Sequence, residues 1–311
     1  MVIVKIMGGM GNQLFQYATA RRLADHLGVK LKLDLGNYKS GSESRPAGLE
    51  TFSRKYRLHE FNIDAEEASD EEIRELRDPY VTSSWLDRTV RLVRRFQPRF
   101  AWPSTYVREK SFRFDPDTLS LSSPVYLQGF WQSEKYFIDR ASLIRNEFQL
   151  RNESVNERAR EIVASLRARG SSVVSLHVRR GDLAHAHEVL KRPENAHGAP
   201  VTLDYIHRAI AEFDPKSVFL VFSDTPQDVA WCRENIQAPN LAFAEALSDI
   251  EDFATMSACD HHIISNSTFS WWAAWLNPQT DKRVVSPRVW STHDLNQMPT
   301  DDLLPKEWRI L

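Results

Sequence analysis

The stretch that decides the fold is residues 1–34, with the sequence MVIVKIMGGMGNQLFQYATARRLADHLGVKLKLD. Residues 2–6 are short, apolar and β-branched, which is typical of a buried strand. After a glycine-rich turn, apolar residues recur at helical spacing from residue 17 to residue 27, and Gly28 suits the end of that helix. Residues 29–33 then alternate like a second strand. This strand–helix–strand unit predicts a parallel α/β sheet.

A second series of alternating elements begins near residue 155. Its patterns predict helices over residues 155–169, 203–213, 226–235, 250–258 and 269–276, and strands over residues 172–178, 217–223, 261–265 and 283–286. Two consecutive series of this kind predict an α/β protein with two Rossmann-type domains that face each other across a cleft. We place the division at residues 1–152 and 153–311.

The composition excludes several classes of protein. Forty Lys and Arg residues against 42 Asp and Glu residues give a net charge of −2, without the basic excess expected of a nucleic-acid-binding protein. No apolar run approaches the roughly 20 residues that cross a bilayer, and the first residues do not resemble a signal peptide. Two cysteines suit a reducing compartment. We therefore expect a cytoplasmic protein.

The glycine turn is the first candidate site. Gly9 and Gly11 lie between a strand and a helix, where the backbone can approach a ligand and the helix N-terminus favours an anion. The turn is similar to a dinucleotide-binding fingerprint, and Asp34 ends the next strand where a ribose-binding acid would lie. However, Gln13 and Leu14 stand where the third glycine would be. A purely structural turn and an NAD site both remain open.

The second candidate is His177-Val-Arg-Arg-Gly-Asp182, at the end of a predicted strand, where ligands bind in α/β folds. Strand alternation places His177 and Arg179 on one face, and Gly181 lets the chain turn so that Arg180 can reach the cleft. Guanidinium groups suit a diphosphate. The alternative is a surface ion pair between an arginine and Asp182.

Two further strand ends carry small polar residues that precede a helix. One contains Asn266, Ser267, Thr268 and Ser270, and the other contains Ser223, Asp224 and Thr225. These side chains can cap the following helix, and the same geometry also directs N–H groups and hydroxyls at an anion or a nucleoside. The tryptophans at 271, 272 and 275 favour a buried core over a platform for a sugar.

Metal binding is not expected. Asp115-Pro-Asp117 has the spacing of metal-dependent sugar transferases, but its proline favours a turn. His185, His187 and His197 lack regular ligand spacing, and the adjacent His261 and His262 point to opposite faces of a strand.

Four motifs together resemble the bacterial α-1,2-fucosyltransferases of glycosyltransferase family eleven. They are GGMGNQLFQY at 8–17, GFWQSEKYF at 129–137, HVRRGD at 177–182 and SNSTFSWWAAWL at 265–276. The resemblance runs through essentially the whole chain. It implies a GT-B-like fold and inverting transfer of L-fucose from GDP-β-L-fucose to the 2-hydroxyl of a terminal β-galactose, without an obligatory metal or other cofactor.

The resemblance also implies roles for individual residues. His177 would contact the guanine side of the nucleotide, Arg179 and Arg180 would hold the pyrophosphate, and Ser267 and Thr268 would approach the β-phosphate. Asp224 and Thr225 would lie near the base, although Thr225 stands where the family usually has a second acid. Phe130-Trp131 replaces the more usual Tyr-Phe of the family. The N-terminal domain would carry the acceptor side and the C-terminal domain would bind GDP-fucose.

Some assignments stay open within this family. Asp182, His185 and His187 are candidates for the base that inversion requires, and Asn12 and Gln13 are candidates for positioning the acceptor. The arginine-rich stretch at 88–95 favours a solvated amphipathic helix, and the alternative is attraction to a membrane with a lipid-linked acceptor. The alternative functions for this chain are an NAD(P)-dependent oxidoreductase and a non-catalytic carbohydrate-binding protein.

Overall fold

The computed structural model describes residues 1–40, 54–77, 105–180, 201–290 and 301–311. In the first half the elements are β1 (Val2–Lys5), α1 (Met10–Leu27), β2 (Leu31–Asp34), α2 (Gly36–Lys39), β3 (Glu66–Glu67), α3 (Asp70–Arg77), β4 (Tyr106–Arg108), β5 (Val125–Gln128) and α4 (Ala141–Glu147). Short 3₁₀ helices cover Leu58–Glu60, Pro116–Ser120, Glu134–Tyr136 and Ile138–Arg140.

The second half continues the alternation of helices and strands. Its elements are α5 (Glu153–Arg167), β6 (Val173–Val178), α6 (Leu203–Ile210), β7 (Val218–Ser223), α7 (Pro226–Asn235), β8 (Leu241–Phe243), α8 (Asp249–Ala258), β9 (His261–Ile263), α9 (Thr268–Leu276), β10 (Val284–Ser286) and β11 (Arg309–Ile310). None of the helices within the described ranges combines the length and the apolar character that a membrane crossing needs.

These strands form two parallel sheets, which confirms the predicted α/β architecture of two Rossmann-type units. The first has the order β3-β2-β1-β5-β4 and the second has the order β11-β10-β9-β6-β7-β8. If β6 is counted as strand 1 and the later strands follow in chain order, the second sheet read from β8 to β11 has the Rossmann order 3-2-1-4-5-6. In such sheets a ligand binds where the strand order reverses, beyond the carboxyl ends of the two central strands. Those points lie between β1 and β5 in one sheet and between β6 and β9 in the other.

The helices begin and end as their sequences indicate. Gly9 is the N-cap of α1, and Gly28 ends the helix in a left-handed conformation with φ of 62°, as predicted. Ser267 caps α9, since its Oγ accepts from the N–H of Phe269. Thr225 caps α7, which starts with Pro226.

Aromatic side chains join the two sheet units into one core. The ring of Phe15, on α1, lies 4.5 Å from that of Trp271 and 4.8 Å from that of Trp272. Phe137 stacks on Trp272 at 5.3 Å. Both tryptophans are fully buried, and Trp275 is 3% exposed, which confirms that this cluster is core. The two units therefore contribute buried residues to one shared hydrophobic core.

The C-terminal segment also connects the two units. Its strand β11 pairs with β10 of the second sheet, and Trp308 packs on Trp271. In the same segment, the carboxylate of Asp302 forms an ion pair with Lys135 and accepts from the N–H of Phe114, both in the first unit. We propose that the domain boundary falls at residue 152, where Asn152 caps α5.

Candidate functional site

A cavity of about 920 Å³ lies where the two sheets face each other, and both switch points open into it. Its lining residues include, from the first unit, Gly8–Asn12, Arg54, Lys55, Arg57 and Phe130, and from the second unit His177, Arg179, residues 222–226, Asp249, Asp252 and residues 267–269. The volume lies within the range of pockets for small-molecule ligands and cofactors.

Most of the residues expected from the sequence reach this cavity. Those that line it are Gly9, Gly11, Asn12, His177, Arg179, Ser223, Asp224, Thr225, Ser267 and Thr268. Four others, Gln13, Arg180, Asn266 and Ser270, are not among the lining residues. Asp182, His185 and His187 lie outside the described residues, as does the arginine-rich stretch at 88–95.

Two helix N-termini meet at the cavity. Helices α1 and α9 both begin there, and Gly11 lies so close to α9 that a Cβ atom at residue 11 would stand 2.4 Å from the carbonyl carbon of Thr268. Only glycine permits this approach of two backbones. The start of a helix carries partial positive charge, so two such ends beside one cavity favour a negatively charged group there.

Asn12 connects these helices to the loop after β5. Its Oδ1 accepts from the hydroxyl of Thr268 at 3.2 Å and from the amide of Gln132 at 2.8 Å. One carbonyl oxygen thus fixes the first turn of α9 relative to α1 and to the Phe130 loop.

His177 lies near the end of β6 and is 6% exposed. Its Nδ1 and the hydroxyl of Ser265 are 2.9 Å apart, and the ring packs on Phe269. Burial, together with the charge of Arg179, lowers the pKa of His177 to about 3. The imidazole is therefore neutral at pH 7 and offers Nε2 to a ligand, because Ser265 occupies Nδ1.

Arg179 and Arg180 have different surroundings. Arg179 lines the cavity beside His177. The guanidinium of Arg180 instead lies 3.8 Å from the ring centroid of Trp231 and pairs with the buried Asp228, with 3.5 Å between Nε and Oδ1. Both partners of Arg180 belong to α7. The assignment of either arginine to the pyrophosphate stays a prediction, and only Arg179 of the two lines the cavity.

The segment after β7 is fixed by hydrogen bonds to its neighbours. Ser223 Oγ donates to the carbonyl of Val178 at 2.7 Å, which joins the ends of β7 and β6. The carboxylate of Asp224 accepts from the N–H of Arg180 at 3.1 Å. Thr225 is engaged as a helix cap through Asp228. Asp224 is the exposed acid of this group at the cavity wall.

Asp252 is a site residue that the sequence interpretation missed. It lies in the first turn of α8 and lines the cavity. Burial, together with repulsion by Asp249, Glu251 and Asp224, raises its pKa to about 7. Within the described part of the chain its carboxyl has no hydrogen-bond or ion-pair partner. The sequence contains no signal for this role, since acids in a first helical turn are ordinary.

Three predicted site residues have structural partners. Gln13 is fully buried, and its amide donates to the carbonyls of Gly8 and Lys55 and accepts from the N–H of Arg57. Ser270 donates to the carbonyl of Ser267, and Asn266 donates to that of Trp290. We therefore propose that these residues shape the loops of the cavity, while acceptor contact by Gln13 stays an untested prediction.

Asp34 does not face the cavity as a ribose-binding acid would. It is 4% exposed, and its carboxylate accepts from the hydroxyl of Tyr126 and from the N–H of Gly36. Asp115 caps a 3₁₀ turn by accepting from the N–H of Asp117, as its proline predicted. In the described ranges no three His, Cys, Asp or Glu side chains are grouped so that they could hold a metal ion.

Comparisons with known proteins give a consistent result. The sequence model of glycosyl transferase family 11 matches residues 98–311. The chain is 29% identical to an alpha-1,2-colitosyltransferase of Escherichia coli, over 99% of this chain and 97% of that protein. It is 33% identical to galactoside alpha-(1,2)-fucosyltransferase 1 of Saimiri boliviensis boliviensis, over 48% of this chain and 42% of that protein.

Among solved structures, a NodZ alpha-1,6-fucosyltransferase soaked with GDP-fucose is 16% identical, with a TM-score of 0.48 over 93% of this chain and 95% of that one. Neither an NAD(P)-dependent oxidoreductase nor a non-catalytic carbohydrate-binding protein is supported by the sequence relatives.

Proposed function

The chain belongs to glycosyl transferase family 11, and on that premise we propose that it moves L-fucose from GDP-β-L-fucose to the 2-hydroxyl of a terminal β-galactoside. The observation that carries this proposal is the single cavity onto which Arg179, two helix N-termini and the ends of β6 and β9 converge. That arrangement suits a nucleoside diphosphate held mainly by the second unit, with the start of α1 beside its phosphates, and leaves the rest of the first unit's wall for the acceptor.

The pyrophosphate fits the cationic end of the cavity. When the acceptor hydroxyl attacks C1 of the fucose, the bond from C1 to the β-phosphate oxygen breaks, and negative charge develops on GDP. The guanidinium of Arg179 and the N–H groups at the starts of α1 and α9 are fixed donors for that charge. Such preorganised donors each contribute about 3–4 kcal/mol to the transition state. The leaving group is thus stabilised by this chain's own residues.

The nucleoside fits the wall next to the pyrophosphate position, where His177, Asp224 and Asp252 lie. His177 offers a neutral ring nitrogen, and Asp224 and Asp252 offer carboxylates at the wall. The guanine N1–H and its exocyclic amino group are adjacent donors that a single carboxylate can accept, whereas adenine has no such pair of donors. Among the described residues no hydrogen-bond or ion-pair partner meets the half-buried carboxyl of Asp252, so we assign it to that edge of the base.

The base that takes the proton from the acceptor hydroxyl is proposed from sequence position alone. Asp182 is the first candidate, with His185 and His187 as alternatives. All three follow Arg179 in the chain, beyond the described end of β6.

A second donor sugar is favoured by one comparison. The relative that aligns with 99% of this chain is a colitosyltransferase, and colitose is L-fucose without its 3-hydroxyl. Transfer of colitose from its GDP conjugate would use the same pyrophosphate and guanine contacts. The two proposals differ only in the groups that face the 3-position of the sugar.

The deciding experiment is incubation of the purified protein with GDP-fucose or GDP-colitose and a panel of β-galactosides. We expect an α-1,2-linked product by linkage analysis, and GDP should raise the melting temperature. Transfer should persist in EDTA, because Arg179 and the helix N-termini face the leaving group. Absence of product with both donors would contradict the proposal, and complete loss in EDTA restored by Mn²⁺ would contradict metal independence.

A cytoplasmic location at the inner face of a membrane is a further part of the proposal, because a lipid-linked glycan would be presented there. Flotation of the protein with vesicles that contain anionic lipid tests it. We expect co-flotation that high salt abolishes, and absence of the protein from the vesicle fraction would contradict it.

A further inference from the structure

The first unit places one aromatic side chain on the cavity wall. Among the described lining residues, Phe130 is the aromatic contribution of that unit, and it is partly exposed. It follows β5, at the switch point of the first sheet, opposite the unit that carries Arg179 and His177. Trp271, Trp272 and Trp275 are buried in the core, as predicted, and do not offer a platform for a sugar.

The loop that presents Phe130 is held rigidly. The carboxylate of Glu109 accepts from the N–H of Phe130 at 2.6 Å and from that of Trp131 at 2.9 Å. A Cβ at Gly129 would stand 2.3 Å from the Cβ of Glu109, so the loop can lie against this acid only with glycine there. The ring of Phe112 is nearly parallel to that of Phe130, at 6.1 Å and 15°.

The backbone after Phe130 adopts an uncommon conformation. Trp131 has φ of 55°, in the left-handed region that large side chains rarely occupy, and it is 1% exposed. Strain of this kind persists where the surrounding structure imposes it, and it is concentrated at functional sites. The neighbouring Gln132 is bonded to Asn12, which in turn accepts from Thr268. The Phe130 ring is thus positioned relative to the start of α9.

The chemistry of galactose matches such a surface. Its axial 4-hydroxyl lies on one face of the ring and leaves the C–H groups at positions 3, 4 and 5 together on the other face. These C–H groups carry partial positive charge, and they pack well on the electron-rich face of an aromatic ring. A galactose stacked in this way presents its hydroxyl groups at the ring edge, where the 2-hydroxyl can face the donor.

We propose that Phe130 is the platform for the apolar face of the acceptor galactose, and that it selects galactosides over sugars with an equatorial 4-hydroxyl. This inference rests on the proposed transfer to a β-galactoside. It goes further by naming the side chain that holds the acceptor.

Phe130→Ala tests the platform because it removes the side chain. Phe130→Tyr keeps the aromatic ring, and Phe130→Leu keeps an apolar side chain without a ring. We expect the KM for a β-galactoside to rise at least tenfold in the Ala variant and several-fold in the Leu variant, and to stay near wild type in the Tyr variant. The affinity for GDP, measured by calorimetry, should be unchanged in all three. Ile138→Ala, at an exposed apolar residue of the same unit, is the matched control and should behave as wild type.

A second readout does not depend on turnover. In saturation-transfer NMR of methyl β-galactoside with the GDP-bound protein, H3, H4 and H5 should receive the strongest saturation. Phe130→Ala should abolish that pattern. An unchanged acceptor KM or an unchanged saturation pattern in Phe130→Ala would overturn the platform while transfer by the wild-type protein upholds the proposed function. A wild-type protein that binds GDP but glycosylates no galactoside would overturn both.

Discussion

At the scale of single residues, Arg179 and Arg180 show how adjacent identical side chains acquire different surroundings. Arg179 lines the cavity, whereas Arg180 stacks on Trp231 and pairs with Asp228 of α7. A guanidinium over an indole contributes about 0.5–2 kcal/mol. Arg180 thus fixes the end of β6 to α7, and we propose that it keeps the backbone of Arg179 in place.

This difference predicts unequal effects of two substitutions. Arg179→Ala should reduce kcat about 10²–10³-fold, as expected for loss of one oxyanion donor, and should weaken GDP binding. Arg180→Ala should lower the melting temperature more than Arg179→Ala does, with a smaller loss of GDP affinity. Steady-state kinetics, calorimetry and thermal melting measure the three quantities. If Arg180→Ala loses GDP affinity as strongly as Arg179→Ala, both arginines hold the pyrophosphate.

Asp252 predicts a pH dependence of nucleotide binding. Its pKa is raised from 3.8 to about 7, so the carboxyl is largely protonated below pH 7 and ionised above it. If the ionised form accepts from guanine, GDP affinity should rise up to tenfold per pH unit below pH 7 and level off above it. Asp252→Asn should remove the part of this slope that is not due to the phosphate of GDP. An identical slope in both proteins, measured by calorimetry, would exclude Asp252 from the binding equilibrium.

The raised pKa of Asp252 also affects the stability of the folded protein. As the pH rises toward 7, stability should fall whereas GDP affinity should rise. Because the folded pKa lies above that of the unfolded chain, the unfolded protein releases this proton first as the pH rises from about 4 to 7. Asp252 therefore lowers the free energy of unfolding over that range. We expect Asp252→Asn to have a higher melting temperature than wild type at pH 8, and an unchanged or lower melting temperature would contradict the raised pKa.

Sequence position could identify some site residues but not others. Ligands in α/β folds lie at strand ends, so His177, Arg179, Ser267 and Thr268 were predictable from the pattern. The direction of Arg180 depends on Trp231, more than 50 residues away in the chain. Asp252 reaches the cavity through the packing of α8, and no local pattern distinguishes it from an ordinary helix-start acid.

At the scale of secondary-structure elements, the contact between α1 and α9 is the central feature of the site. Gly11 allows the backbone of α9 to approach, and Asn12 then bonds to Thr268. Both helices aim their N-termini at the position assigned to the pyrophosphate. The anion site thus depends on an interhelical distance as well as on side chains.

Gly11→Ala should disrupt this contact. The added Cβ would lie 2.4 Å from the backbone of Thr268, so the helices must separate. We expect a loss of about 1–3 kcal/mol of stability, as for overpacking of an interior, together with weaker GDP binding. Gly28→Ala is the control, because it has φ of 62° but no atom within 4 Å of the added Cβ. It should lose about 1 kcal/mol and keep its GDP affinity. Equal GDP affinity in Gly11→Ala and wild type would show that the close contact between α1 and α9 is not needed for GDP binding.

The elements were predicted unevenly from the sequence. The strands β1, β6 and β7 and the helices α7, α8 and α9 lie within a few residues of their predicted limits, because each has a clear apolar period or a capping residue. The strands β5 and β8 were missed. Their strand conformation depends on pairing with β1 and β7, which are distant in the chain, and their own residues do not indicate it.

At the scale of the whole molecule, the aromatic cluster makes the two sheet units energetically dependent on each other. Phe15 and Phe137 from the first unit enclose Trp272 of the second. Inter-domain contacts of ordinary proteins are smaller and more polar. Here the interface is part of one core, although the chain contains two Rossmann-type sheets.

A single cooperative unfolding transition should follow from this shared core. Calorimetry should show one transition for the wild-type protein, and GDP should shift all of it to higher temperature. Trp272→Ala should lower stability by about 3–5 kcal/mol, because it removes a large side chain from a packed interior. Val289→Ala, at an exposed apolar residue, is the control and should melt as wild type does. Two transitions, with only one shifted by GDP, would show that the units unfold independently.

The meeting of Gly11 with Thr268 has a consequence for how substrates enter and leave. The backbone contact there and the neighbouring rings of Phe15, Phe137 and Trp272 hold the two units together at the phosphate end of the cavity. We therefore expect that end to keep its width while substrates exchange. The nucleotide should then enter and leave across the rim that lies farthest from Gly11.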